Sequence, residues 1–137
     1  MADTVTPAKR SSIMGRVKQK NTAPEMIVRR LLHREGYRFR LHRKDLPGTP
    51  DIVLPKHRAV IFVHGCFWHG HADCRLARRP GDNAEFWNKK LDRNLERDRH
   101  VIAEVEALGW RVLVVWQCQT RNVETLQCQV EAFLGNV

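Results

Sequence analysis

The segment Phe62–Cys74 contains an unusual density of chemically active side chains. It reads FVHGCFWHGHADC, with three histidines, two cysteines and an adjacent Phe-Trp pair. Thiolates and imidazoles are preferred zinc ligands, and histidine is the side chain that exchanges protons most readily near neutral pH. A carboxylate, Asp51, follows Pro50 at the start of an apolar run upstream of this segment. Together these residues predict a metal-dependent site on a nucleic-acid-binding surface.

The charge balance favours a polyanionic partner. Lys and Arg number 24 against 15 Asp and Glu, which gives a net charge of +9. Contacts with phosphates release condensed counterions, so this excess indicates nucleic acid, with a solvated basic surface as the alternative. The chain has no apolar run of ~18 residues and no signal-peptide pattern at its start. We therefore expect a cytoplasmic protein without membrane contact, whose cysteines stay reduced.

Three cysteines and one histidine form a candidate zinc site. Cys66, His71 and Cys74 lie in a stretch without hydrophobic periodicity, and Cys118 directly follows an apolar run. A Cys3His set is a normal closed zinc site, and it would fix this loop at the edge of a sheet. His69 is an alternative to His71, and burial as a small core residue is the alternative role for Cys118.

A second, oxygen-rich site is expected around Asp51. Magnesium needs few protein ligands, so one carboxylate and the main-chain carbonyl of Val63 suffice beside a substrate phosphate. Val63 comes near Asp51 if the two apolar runs pair as a hairpin. His64 and His69 follow directly, and one can activate water while the other contacts phosphate. A turn-capping role is the alternative for Asp51.

Two further acids are candidates for this site. Asp98 falls where the helical pattern calls for an apolar residue, so it is expected to pair with an arginine or to orient a catalytic histidine. Glu25 follows Thr22 at capping-box spacing, and catalytic involvement is an equal alternative to that role.

The aromatic residues have two interpretations. Phe67 and Trp68 lie between the zinc-ligand candidates, and Trp87 opens the next helical segment. Rings on a basic loop are suited to wedging between base pairs, whereas a small core beneath the loop is the alternative. Their position next to ligands favours the wedge.

The elements that must position these residues are predicted in the order helix, three strands, helix, strand, helix. This order indicates an α/β domain with a mixed sheet flanked by helices. Residues 1–20 are expected to form a flexible basic arm, and residues 21–137 a single domain. Strands are predicted at 37–41, 51–54, 59–63 and 110–116, the last two fully buried, and helices at 22–36, from 84 to 108, and from 123 onward.

Four linked motifs resemble the very short patch repair (Vsr-type) endonuclease family. They are DLPGTPD at 45–51, FVHGCFWH at 62–69, NLERDR at 94–99 and GWRVL at 109–113. The resemblance runs from about residue 11 to residue 116. It implies a restriction-endonuclease-like core with structural zinc. It also implies a magnesium-dependent enzyme that nicks duplex DNA 5′ to the thymine of a T:G mismatch and leaves a 5′-phosphate.

The resemblance also implies roles for individual residues. Asp51 becomes the magnesium carboxylate, His69 the general base and His64 an assisting group near the phosphate. Acidic positions that support the site correspond to Glu25 and Asp98. The implied zinc ligands are Cys66, His71, Cys74 and Cys118, and the implied wedge residues are Phe67, Trp68, Trp87 and, from the N-terminal arm, Met14.

The chain departs from the family pattern at two places. Val63 stands where a threonine is usual, a change that is tolerated if only the main-chain carbonyl binds metal and damaging if the threonine hydroxyl has a role. One more residue separates His71 from Cys74 than in the family pattern, which leaves His69 as an alternative to His71. The leading hypothesis is a monomeric T:G nicking enzyme that works with mismatch-repair proteins. The alternatives are a non-catalytic zinc-organised DNA-binding module and a nuclease of the same fold that acts on another lesion or on unmodified sites.

Overall fold

The computed structural model describes residues 22–72 and 74–135, so Met14 and the predicted N-terminal arm lie outside the described residues. The described chain forms one four-stranded sheet with helices on both faces. Its elements are α1 (Ala23–Arg34), β1 (Arg40–Leu41), β2 (Ile52–Leu54), β3 (Ala59–His64), α2 (Ala84–Ala107), β4 (Arg111–Trp116) and α3 (Val123–Gly135).

The sheet is mixed, as the element order predicts. Strands β1, β2 and β3 pair antiparallel, and β4 pairs with β3 in parallel after the crossover through α2. The β2–β3 hairpin turns through the short 3-10 helix Pro55–His57. Consequently the start of β2, next to Asp51, and the end of β3, at His64, meet at the same edge of the sheet.

Alternating side chains of the central strands fill two separate cores. Ile61 packs with apolar residues of α1 and α3 on one face, while Val60 packs with α2 on the other. Both side chains are fully buried. Opposite faces of β3 are therefore covered by different helices, which explains why this run is apolar throughout.

Two strand predictions need correction. The alternation at residues 37–41 produces a strand only at Arg40–Leu41, both exposed, while Tyr37 and Phe39 pack beside the first core. Strand β4 was expected to be fully buried, but among its residues only Val115 is. Strand β4 is an edge strand of the sheet, where helices cover the sheet less completely.

Other sequence predictions are confirmed. Helix α1 begins after the cap Thr22, whose Oγ1 accepts a hydrogen bond from the Glu25 N–H at 3.3 Å, and the chain turns at Gly36 with φ +83°. Helix α2 begins at the predicted residue and ends one residue early. Across residues 22–72 and 74–135, no helix is long and apolar enough to span a membrane.

The loop before Asp51 approaches α2 closely at Gly48. A Cβ built on Gly48, whose φ is +71°, would lie 2.3 Å from Val101 Cγ1, whereas Gly36 has a similar φ and open space around it. We expect Gly36→Ala to lower the free energy of unfolding by about 1 kcal/mol through backbone strain. Gly48→Ala should cost a further ~1–3 kcal/mol through overpacking. Urea unfolding of both variants measures these losses. Equal losses of unfolding free energy in Gly36→Ala and Gly48→Ala would contradict the close approach of Gly48 to Val101.

Candidate active site

A cleft of about 440 Å³ lies at the edge of the sheet where β2 begins and β3 ends. Its walls come from the loop before β2, the loop after β3, and one face of α2. The predicted site residues among those that line it are Asp51, Val63, His64, Trp68, His69 and Asp98. The fold thus gathers residues that are separated by up to about a third of the sequence.

Asp51 is held at the mouth of β2 by the neighbouring strand. Its Oδ2 accepts a hydrogen bond from the Val63 main-chain N–H at 2.7 Å. Burial raises the pKa of Asp51 to about 7; this hydrogen bond opposes the rise, and the negative charge of Glu25 adds to it. The hairpin therefore brings Val63 to Asp51 as predicted, with the N–H group of Val63 as the orienting contact. A carboxylate with a raised pKa gains stability when a cation binds it.

Glu25 joins the α1 cap through its main chain, while its side chain points toward Asp51 rather than back to the cap. Its main chain takes part in the α1 cap, while its fully buried carboxylate bonds to Arg29 and lies 3.0 Å from His42 Nε2. Glu25, His42 and Asp51 each place a ligand atom within 4.8 Å of the others. Glu25 therefore belongs to the site as well as to the helix cap.

His42 is the residue that the sequence analysis missed. It follows the strand predicted at residues 37–41 directly, and the alternating pattern there pointed to no role for it in the site. In the structure the strand ends at Leu41 and His42 has a left-handed φ of +47°, which turns its imidazole toward Glu25. A histidine directly after a strand and before the loop that leads to Asp51 was the available signal.

A histidine pair forms the opposite wall of the cleft. The rings of His64 and His69 stack with centroids 3.8 Å apart, and Asp98 Oδ2 lies 2.6 Å from His69 Nδ1. Of the two roles predicted for Asp98, orientation of a histidine is therefore the one that the structure shows. With Nδ1 engaged by a carboxylate, the lone pair of His69 is presented at Nε2.

His64 is uncharged because it is buried. Burial, with a smaller contribution from the adjacent His69, lowers the pKa of His64 to about 4. The ring is therefore neutral at physiological pH, and it can receive or donate a hydrogen bond without adding charge to the cleft.

The four predicted zinc ligands meet beside the cleft. Cys66, His71, Cys74 and Cys118 place their ligand atoms within 4.8 Å of one another. His71 Nδ1 lies 3.7 Å from Cys66 Sγ and 3.4 Å from Cys118 Sγ. Tetrahedral zinc with ordinary Zn–S and Zn–N bonds requires a ligand separation of about 3.6 Å. These distances suit zinc, and they place His71 in the cluster while His69 lies in the histidine pair.

The chemistry of Cys66 also suits a bound cation. Its side chain is buried, and burial raises the pKa of the Cys66 thiol to about 12. A thiolate at this position needs a positive partner at neutral pH, and zinc supplies one. The cluster therefore has the donors, spacing and charge requirement of a structural metal centre.

The predicted wedge residues form one aromatic cluster. Phe67, Trp68 and Trp87 have ring centroids 5.1–6.0 Å apart, and all three side chains are half-buried. Phe86 extends the cluster and is 58% exposed. The rings thus stabilise one another while presenting apolar surface at the rim of the cleft.

Comparison with known proteins establishes the family. The family model "DNA mismatch endonuclease Vsr" matches residues 2–76. "Type II nicking enzyme V.XorIIP" of Xanthomonas oryzae pv. oryzae is 51% identical over 98% of both chains. "DNA mismatch endonuclease Vsr" of Escherichia coli is 45% identical over 92% of this chain and 80% of its own length. The chain belongs to the Vsr family.

Membership of the Vsr family makes this protein a DNA endonuclease, as the sequence motifs indicate. A further relative, "Type II nicking enzyme V.NmeAIP" of Neisseria meningitidis, is 43% identical over 89% of this chain and 86% of its own length. These relatives span nearly the whole chain, so the cleft, the histidine pair and the cysteine cluster all lie within the shared region.

The cysteine cluster generates a test of metal binding. Cys74→Ser should remove one ligand, release the metal and lower the free energy of unfolding by about 3 kcal/mol or more, because loss of a metal is among the largest single-site effects. Cys128→Ser is the matched control, since Cys128 is exposed on α3. Metal analysis and thermal melting of both variants provide the measurement. Unchanged metal content in Cys74→Ser would exclude that ligand.

Proposed function

We propose that this Vsr-family enzyme uses magnesium to nick one strand of duplex DNA 5′ to the thymine of a T:G mismatch, leaving a 5′-phosphate. Such a nick would initiate very short patch repair. The observation that carries the proposal is the convergence of Asp51 and the His69–Asp98 pair on one cleft with aromatic rings at its rim. One side of the cleft has metal-binding chemistry, and the other has proton-transfer chemistry.

Asp51 is the proposed magnesium carboxylate, with the main chain of Val63 beside it. Bound magnesium would stabilise the charge that develops on the scissile phosphate. The site suits a cation because two carboxyl groups, Asp51 and Glu25, are held together where water is largely excluded. Their mutual repulsion decreases when a divalent ion binds.

His69 is the proposed general base. Asp98 fixes its ring through Nδ1, so Nε2 can take the proton of a water molecule that attacks the phosphate. The same carboxylate stabilises the imidazolium that results. His64 stacks against His69 and, as a neutral ring, supports its orientation and contacts the phosphate.

The aromatic cluster is the proposed mismatch reader. Phe67, Trp68 and Trp87 present apolar edges next to the catalytic groups. A wobble pair stacks less well than a matched pair, so inserting rings beside it costs less energy. Basic side chains set the register on phosphates but do not distinguish the mismatch. Met14, outside the described residues, is proposed to approach the opposite groove.

The cysteine cluster is proposed to hold zinc as a structural ion. It connects the loop that carries His69 and the aromatic rings to the end of β4. We further propose a restriction-endonuclease-like core, on the basis of the mixed sheet with the acidic residue at the start of β2. The enzyme would act as a cytoplasmic monomer together with mismatch-repair proteins, with residues 1–20 as a DNA-contacting arm.

A cleavage assay tests the activity. The protein, with its zinc content verified, is incubated with magnesium and with duplexes that are matched or carry one T:G or U:G pair, each labelled on either strand. We expect a single nick 5′ to the mismatched thymine and none without magnesium. Equal cleavage of matched and mismatched DNA would favour a same-fold nuclease with another target. Binding without cleavage of any duplex would favour the non-catalytic module.

Replacement of Asp51 should reduce strand cleavage without reducing DNA binding. Asp51→Asn should keep its affinity for the mismatched duplex and lower the nicking rate on the order of 1,000-fold, since metal stabilisation of the transition state is worth several kcal/mol. Asp92→Asn removes an exposed carboxylate from α2 and serves as the control. Near-normal nicking by Asp51→Asn would exclude the metal role.

Magnesium binding should depend on pH through Asp51. Because its pKa is raised to about 7, a proton competes with the ion below that value. Magnesium affinity should therefore rise with pH up to about 7 and level off above it. Glu25→Gln removes the neighbouring charge, so the midpoint should move to lower pH. Calorimetric titration from pH 5 to pH 8.5 measures both, and a flat profile would contradict the protonation of Asp51.

A further inference from the structure

His42 adds an imidazole to the carboxylates of the proposed magnesium site. Its Nε2 lies 3.0 Å from Glu25 Oε2 and 3.2 Å from Glu25 Oε1. The ligand atoms of Glu25, His42 and Asp51 all fall within 4.8 Å of one another. Two oxygen donors and one nitrogen donor are therefore available to a single ion.

The backbone is arranged to keep this imidazole in place. The His42 N–H donates to the Asp51 main-chain carbonyl at 3.2 Å, so the two residues are tied together directly. His42 also has a φ of +47°, a conformation that non-glycine residues rarely adopt. Its side chain is 20% exposed and lines the cleft, so one side of the ring is accessible to an ion.

The charges around the three groups favour a cation. Glu25 and Asp51 bring two carboxyl groups into a largely buried space, and Arg29 bonds to Glu25 from α1. One guanidinium balances one carboxylate. A divalent ion balances the second, and its own ligands can then include a neutral imidazole.

The spacing is also right for shared coordination. Adjacent ligands of an octahedral ion with bonds near 2.1 Å are separated by about 3.0 Å. The Glu25–His42 distances of 3.0 and 3.2 Å match this edge.

We propose that His42 Nε2 is a ligand of the divalent cation that Asp51 and Glu25 hold, which makes this a mixed nitrogen–oxygen site. The inference rests on the proposed metal role of Asp51 and names a further ligand for that ion. An imidazole donor favours Mn²⁺ over Mg²⁺ relative to a site with oxygen ligands alone. Metal preference should therefore depend on residue 42.

Electron spin-echo spectroscopy of Mn²⁺ bound to the full-length, zinc-containing protein tests the proposal. Nitrogen bound directly to Mn²⁺ modulates the echo. We expect this modulation in the unchanged protein and its loss in His42→Gln and His42→Ala. His100→Gln removes an exposed imidazole from α2 and should retain it. The Mn²⁺ dissociation constant should rise at least about tenfold in both His42 variants, with a smaller change for Mg²⁺.

Each remaining outcome has a distinct meaning. Modulation that survives in a folded His42 variant, or that disappears in His69→Gln instead, would overturn the assignment to His42. Mn²⁺ binding that requires Asp51 but shows no nitrogen coupling would overturn it while leaving the Asp51 site intact. Binding that is unaffected by Asp51→Asn would overturn both the His42 ligand and the proposed metal carboxylate. Thermal melting and zinc content establish that each variant is folded.

Discussion

Parallel pairing of β3 with β4 determines where most of the site can lie. The strands stay in register from Ala59 and Arg111 to His64 and Trp116. Two residues beyond this last pair, the chains reach Cys66 and Cys118, whose contact continues the pairing past the sheet. Because parallel strands end at the same edge, His64 and the cysteine cluster are brought to that edge by one set of main-chain hydrogen bonds.

Ring contacts connect the cysteine cluster with the His64–His69 pair. His71 of the cysteine cluster stacks on Trp116 at 4.2 Å, and Trp116 meets the edge of His64 at 5.3 Å. His64 in turn stacks on His69. A continuous series of flat side chains therefore fills the space that aliphatic residues would occupy in a larger core. The loop after β3 has no hydrophobic periodicity because rings, polar contacts and the cysteine cluster hold it in place.

The sequence predicted the features that depend on local pattern. The β2–β3 hairpin, both ends of α2 within a residue, and the grouping of Cys66 with Cys118 followed from periodicity, capping and ligand type. The features it missed depend on neighbours distant in sequence. Partial exposure of β4 reflects its place at the end of the sheet, and the turn of His42 toward Glu25 reflects a left-handed residue that no pattern marks. The Val63 N–H contact required the exact hairpin register.

Helix α2 carries both Trp87 of the aromatic cluster and Asp98, the partner of His69. Trp87 and Asp98 are eleven residues apart, about three full turns, so they lie on the same face and roughly 16 Å apart along the axis. Between them, Asn94 donates to the Trp68 carbonyl at 3.0 Å and fixes the loop to the helix. The helix thus fixes the distance between the aromatic cluster and the histidine pair. One inserted residue would rotate one end by about 100° relative to the other, so the length of the helix between Trp87 and Asp98 decides whether the two side chains share a face.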